Sequence, residues 1–342
     1  MRVRSLKGLS IGLAILALSA SSASAADALK IAVGQCGNWD SSPVQLGDGA
    51  GIYAKHGILI EAVCTQGTGE TQQAVISGSA DIGIGIGTLG ALGAFSKGAP
   101  IRIISGSATG NADFWFVKAD SPLKAIKDTT DATTIAYSTN GSSTHAVVLG
   151  LIRELGLKGK PVATGGPAAT LTVALSGQVD IGWTSPPLGF DMLDDGRIRI
   201  FARANDVPSL KGQTIRVNTA NANALKERRD VFVRFMKAFG ETIDWMYSAD
   251  PKALEAYAAF CKTTPRNATR LRDEFFAKST LDPGTVKGMD GLMAEAVNLK
   301  FMTRVLTPEE LAEFVQVPVE VTGNVRFRPG RWRESPAHGR RR

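Results

Sequence analysis

Two stretches set 99 positions apart constrain this chain more than anything else in it. Thr71 to Gly85 reads TQQAVISGSADIGIG, and Thr170 to Thr184 reads TLTVALSGQVDIGWT. Each places apolar residues at helical spacing (Ala74 and Val75; Val173, Ala174 and Leu175). Each then has a glycine able to end a helix (Gly78, Gly177), an aspartate (Asp81, Asp180) and a short apolar run. That order is helix, tight turn, buried parallel strand. A solenoid would need at least three copies at a shorter period. Two copies of an αβ unit in 342 residues imply two similar α/β lobes, although chance agreement between two ordinary turns would leave the same trace.

The formal charge of +7 resolves into +3 from Arg2, Arg4 and Lys7, +6 from the stretch beginning at Arg326, and −2 for everything between. A nearly neutral body lacks the basic face that nucleic acid requires, so no nucleic-acid partner is expected. The basic start, the apolar run Leu9 to Ala20 and Ala23-Ser24-Ala25 have the form of a secretory signal over residues 1–25, cleaved near Ala25. That run is too short to span a bilayer. The expected product is a periplasmic, monomeric protein that ends in a disordered basic tail over 326–342. Cys36, Cys64 and Cys261 fit no metal motif, so neither metal nor cofactor is expected. Cys36 and Cys64 end the first two expected strands, and an oxidising compartment would allow a disulfide there; three small buried residues is the alternative.

Strands are expected at 29–35, 59–63, 81–85, 101–105 and 114–118, and again at 134–138, 161–164, 179–183 and 198–203. Helices alternate with them, one running from Pro43 to about His56. Alternation of this kind means parallel sheets flanked by helices. Crossings near Lys118–Pro122 and Lys211–Asn218 divide the chain into lobe 1 (26–118 and 215–325) and lobe 2 (119–214). From Ala222 onward the pattern is helical, beginning with one long helix to Met246.

In open α/β sheets ligands bind at the carboxyl ends of strands. The loops expected there are CGNWDSS, QGTGETQ, GIGTLG, GSATGNADFW, STNGSSTH, TGGPAAT and WTSPPLG. They hold glycine, hydroxyl residues and tryptophan, with no lysine or arginine. Several open into helices, whose free N–H groups hold an anion without a basic side chain. Thr139 to Thr144 has the best composition for this, although Ser and Thr are also ordinary N-caps. Trp39 could pack on an apolar part of a ligand; Asp40 and Glu70 could hold an ammonium group. No catalytic constellation emerges. His145 is the one histidine near the expected cleft, but Ser142 and Ser143 stand in no nucleophile-elbow spacing with it, and Gly83–Gly87 lacks the dinucleotide-loop pattern.

Five segments, Gly51–Ile58 (GIYAKHGI), Ser77–Gly83, Lys97–Pro100 (KGAP), Lys118–Pro122 and Ser176–Asp180, taken in this order, resemble the solute-binding proteins of ABC importers for nitrate, sulfonate and taurine, a group that also holds thiamine-pyrimidine binders. The resemblance spans roughly Leu29 to Phe239. It implies a two-lobed periplasmic-binding fold of the second type with two crossing strands, a hinge closure, and delivery of the solute to a permease and its ATPase. Carried over by position, it implies a cleft lined by Trp39, Gly67, Thr68, Gly69, Thr88, Asn111, Gly141, Ser142, Ser143, Thr144, Thr184 and Ser185. With loops free of basic residues, the expected solute is a small monovalent organic anion, a sulfonate or carboxylate, bound without turnover. The alternatives are an enzyme on this fold, akin to pyrimidine synthases, and a ligand sensor that serves no permease.

Overall fold

Apolar runs bounded by glycine and proline build the sheets. The computed structural model describes residues 26–318; the expected export segment and the arginine-rich tail lie outside the described residues. The first half runs β1 (Asp27–Gly34), α1 (Pro43–Gly49), α2 (Ile52–Lys55), β2 (Ile58–Thr65), α3 (Thr68–Ile76), β3 (Ile82–Gly87), α4 (Thr88–Phe95) and β4 (Ile101–Thr109). The middle runs β5 (Phe114–Lys118), β6 (Thr134–Tyr137), α5 (Ser143–Leu155), β7 (Lys160–Ala163), α6 (Pro167–Leu175), β8 (Gly182–Thr184), α7 (Phe190–Asp194) and β9 (Ile198–Arg203). Strand β10 (Thr214–Asn221) returns to the first sheet. Helices α8 (Ala222–Glu227), α9 (Arg229–Met246), α10 (Pro251–Phe260), α11 (Pro265–Arg270), α12 (Met289–Asn298) and α13 (Pro308–Phe314) complete the described chain.

The first sheet has the order β2-β1-β3-β10-β4, with β1 parallel to β2 and β3, and β10 antiparallel to both its neighbours. In the second sheet β5 lies antiparallel between β8 and β9, and a bridge from Ile135 to Ile181 joins this group to the parallel pair β6–β7. Helices flank both sheets, giving the two-lobed α/β architecture. Strand β5, expected in the first lobe, therefore belongs to the second sheet. The first crossing lies before it, at Gly110–Asp113, because Phe114–Phe116 find their partners in β8 and β9.

The duplicated unit repeats down to single hydrogen bonds. Thr65 and Thr71 pair their hydroxyls at 2.6 Å, and so do Thr164 and Thr170, each 99 positions on. Thr71 Oγ1 donates to Gly67 O and Thr170 Oγ1 to Gly166 O, both at 3.1 Å. Gly78 (φ 76°) and Gly177 (φ 78°) turn the chain in the left-handed region after the helix. The shared aspartate then accepts a backbone N–H at the neighbouring strand, Lys30 N to Asp81 at 2.9 Å and Thr134 N to Asp180 at 2.7 Å. The aspartate is thus a strand-to-strand tie, which explains why it sits five positions past each helix end.

Two expected helices are broken for local reasons. The helix from Pro43 divides at Gly51 (φ 68°) into α1 and α2. The helix from Ala222 divides at Arg228 (φ −126°), whose guanidinium reaches Ala28 O at 2.9 Å and Asp81 at 2.5 Å instead of following the helix. Helix α9 then buries Val231, Phe232, Phe235, Met236, Phe239 and Ile243, an apolar stripe at three- and four-residue spacing, under the first sheet. Cys36 and Cys64 are joined in a disulfide across β1 and β2, and Cys261 is a free thiol. Among the described residues no helix is long and apolar enough to cross a membrane.

Gly177 has nothing within 4 Å of where a Cβ would stand, so its cost of substitution is conformational alone. Gly177→Ala should lower unfolding stability by about 1–2 kcal/mol, the left-handed cost for an ordinary residue, measured by urea denaturation; an unchanged midpoint would show that the turn tolerates any side chain.

Candidate functional site

The carboxyl ends of β2 and β3 face those of β6 and β7 across the seam between the lobes. There the chain is stripped to glycine because backbone meets backbone. Gly90 N at the start of α4 donates to Gly141 O at 3.1 Å, and a Cβ on Gly87 would lie 2.4 Å from that same oxygen. A Cβ on Gly67 would stand 3.5 Å from Ser138 Oγ, and one on Gly69 would stand 3.7 Å from Thr139 Oγ1. The loops expected to face one another, Gly67–Gly69 and Thr139–Thr144, do so. Ser138 Oγ, Thr139 Oγ1 and Gln72 Oε1 are shielded from solvent at this seam and have no hydrogen-bond partner.

Beside this contact lies a buried charge cluster. Every residue of β10 is buried, and Arg216, near its beginning, is 3% exposed. Its Nη1 donates to Asp40 Oδ2 at 2.8 Å, its Nη2 to Asp113 Oδ2, and its Nε to Ser143 Oγ at 2.9 Å. Nη2 also reaches Asn111 Oδ1 at 3.4 Å, while Ser185 Oγ donates to Asp113 Oδ1 at 2.6 Å. Asp40 follows β1, Asn111 and Asp113 sit at the first crossing, Ser143 opens α5 and Ser185 follows β8. One guanidinium therefore ties the first lobe, the crossing segment and the second lobe together.

Two carboxylates share that one cation out of contact with water. Burial pushes the Asp113 carboxyl above its ordinary range; Arg216, Ser185 and Asn111 oppose the rise, and the like charge of Asp40 adds to it. Burial works against the Arg216 charge, but the two acids hold its pKa above the ordinary arginine value. Asp40 Oδ1 and Asn111 Nδ2 keep unused hydrogen-bonding capacity within the cluster.

Asp40, Asn111, Ser143 and Ser185 are among the expected site residues; Arg216 and Asp113, the two that organise them, are not. The strand-end loops do lack basic residues; the arginine comes from the crossing strand QTIRVN, where a lone charge inside a buried strand is the signal that could have revealed it. The remaining expected residues hold the loops in shape. Thr88 Oγ1 donates to Thr214 O at 2.6 Å, Thr68 Oγ1 to Gly85 O at 3.5 Å and Thr184 Oγ1 to Leu188 O at 3.2 Å. Ser142 Oγ caps α5 by accepting from His145 N, and Thr144 Oγ1 accepts from Ser138 N at 2.8 Å. Glu70 accepts from Gln66 N at 2.9 Å. Trp39 is fully buried, edge-on to Tyr247 and Tyr257, with its indole N–H donated to Tyr247 at 2.9 Å. His145 stacks on Tyr137 at 4.4 Å between ring centres and accepts from Gly141 N at 3.2 Å; burial draws its pKa below the usual histidine value.

Next to the cluster the seam widens into a hollow of about 500 Å³ with walls from both lobes, Ser185 among them. A hollow of about 670 Å³ between α1, α9 and α10 lies on the first lobe alone, away from these loops.

A carboxyl whose folded pKa is raised holds its proton in the folded state at a pH where the unfolded chain has lost it. Stability from Asp113 is complete below the ordinary aspartate value of about 3.9 and is lost as pH rises through the folded value. Urea midpoints of the wild type should therefore fall across that window, and Asp113→Asn should remove this component of the slope. Identical slopes would mean that folding leaves the titration of Asp113 unchanged.

A search of curated proteins finds no match to this sequence. Among solved structures, the alkanesulfonate-binding protein SsuA from Xanthomonas axonopodis pv. citri bound to MOPS superposes with a TM-score of 0.69 at 18% identity, over 85% of this chain and 98% of that one. The periplasmic aliphatic sulphonate binding protein SsuA from Escherichia coli gives 0.64 at 18%, over 84% and 97%. The periplasmic nitrate-binding protein NrtA from Synechocystis PCC 6803 gives 0.64 at 13%, over 84% and 85%. These likenesses show the periplasmic-binding fold. The model of the family described as NMT1/THI5 like matches residues 38–253, from the loop after β1 to the start of α10, and the chain belongs to that family.

Proposed function

We propose that this protein is the periplasmic solute-binding component of an ABC importer, holding one small monovalent organic anion, a sulfonate or carboxylate, between its lobes and passing it to a membrane permease and its ATPase. The observation that carries this reading is the seam itself. The N-terminus of α3 at Gly67–Gly69 stands against Ser138 and Thr139 of the opposite lobe, whose hydroxyls have no partner. Helix N-termini and hydroxyl donors are a sufficient cradle for one negative charge.

The charge balance supports a monovalent solute. Arg216 already serves two carboxylates, so a second negative charge on the solute would find no uncompensated cation. Micromolar affinity needs about −8 kcal/mol, which a handful of charge-assisted hydrogen bonds at about 1.5–3 kcal/mol each would supply before losses. The sulfonate- and nitrate-binding proteins of this fold take monovalent anions, which supports a monovalent solute, and the signal-like start of the sequence agrees with export. Binding without turnover is favoured over catalysis because the imidazole of His145 is engaged in packing against Tyr137 and in holding Gly141.

Isothermal titration of the mature protein with methanesulfonate and acetate should give one site per chain. Thr139→Val should weaken that binding by about tenfold or more, the loss of one hydrogen bond to a charged group, with the thermal midpoint of the free protein little changed. Equal affinity in the two proteins would remove Thr139 from the site.

A further inference from the structure

The wide part of the seam points to what the solute carries besides its charge. On the first lobe its wall is the Cys36–Cys64 disulfide with Gln35 and Lys262; on the second it is Pro167, Ala168 and the Pro187–Leu188 turn. Gln35 (φ 59°) and Lys262 (φ 52°) are two of the three non-glycine residues with left-handed backbone among the described residues, and both line this one hollow. Strained backbone of this kind persists where the surroundings hold it and concentrates at ligand clamps. Here the surroundings are the disulfide, the Asn38 amide donating to Gln35 Oε1 at 2.8 Å, and the Tyr257 hydroxyl donating to Gly37 O at 2.6 Å.

The walls carry little net charge. Asp191 and Lys262 stand at the rim and oppose each other in sign, with Asp191 also accepting from Asn267 at 3.4 Å. Burial lifts the Cys261 thiol to about 11, so that wall is neutral near pH 7. A hollow of about 500 Å³ is within the range that takes organic ligands of drug-like size, and far larger than an inorganic anion needs. At one end its lining residue Pro167 follows Gly166, where a Cβ would lie 3.1 Å from Gln66 O beside the Gly67–Gly69 loop, so the hollow adjoins the proposed anion cradle.

We infer that this hollow is a second subsite, which takes an uncharged, largely apolar body attached to the anionic group, so that the solute is a bulky organic anion of ring-bearing size. The inference rests on the proposed anion site and adds to it. The chain selects against inorganic anions, and the disulfide is a fixed wall of the binding site as well as a brace for β1 and β2.

The test is titration calorimetry of the full protein with methanesulfonate and naphthalene-2-sulfonate, repeated on Ala168→Trp. Ala168 is exposed at the wall, on the second residue of α6, so the variant adds bulk to the hollow without disturbing the core. Naphthalene-2-sulfonate should bind the wild type about tenfold or more tightly than methanesulfonate, since the added rings are removed from water. Ala168→Trp should abolish most of that advantage and leave methanesulfonate unchanged. Small anions that bind while the naphthyl compound is excluded, or a variant that weakens both equally, would overturn the subsite and leave the anion site standing. Failure of every anion to bind would overturn both.

Discussion

A guanidinium removed from water between two carboxylates is the interaction on which this arrangement depends. Alone in a dry interior any of these three groups would be prohibitively costly, and each is held there by the others. Asp40 comes from the first lobe, Asp113 from the crossing segment, and Ser143 and Ser185 from the second lobe, so the cluster forms only when the lobes stand in one relation to each other. A buried ion cluster is weak evidence for added stability, because apolar residues of the same shape can do as well. Its selective effect here is on geometry. Arginine suits the task, since its planar fork of donors can address two carboxylates and a hydroxyl at once where an ammonium cannot.

Around that fixed point the fold supplies two copies of one device. In each lobe a threonine pair, a helix and a left-handed glycine lead to an aspartate that ties neighbouring strands. Two such units bring helix N-termini to the same edge of each sheet, and β5 and β10, the strands on either side of the crossings, set those edges face to face. Glycine at 67, 69, 87, 90 and 141 lets the opposed backbones approach to contact distance. The unpartnered hydroxyls of Ser138 and Thr139 are what this close approach leaves for a solute to satisfy.

The repeat, the alternation of strand and helix and most strand positions were legible in the sequence, because buried parallel strands and glycine-ended helices leave strong local patterns. Strand β9 begins and ends where its pattern does. Two kinds of information were not local. Whether β5 joins the first or the second sheet depends on partners more than 60 residues away, Gly182–Thr184 and Ile198–Arg203. The role of Arg216 depends on Asp40, 176 residues distant. Loop composition singled out strand-end loops that meet across the two lobes. Of the two roles a tryptophan at a strand end can take, core packing or ligand contact, Trp39 packs in the core, enclosed by Tyr247 and Tyr257. Loop composition passed over the crossing strand, because a connector was not expected to carry the central charge.

Solution scattering on the wild type and Arg216→Lys tests the central claim most directly. If Arg216 holds the lobes together, the unliganded wild type should scatter as the closed structure does, and the lysine variant, able to reach one carboxylate at a time, should show a larger radius of gyration with unchanged secondary structure. Superimposable curves from the two proteins would contradict the account.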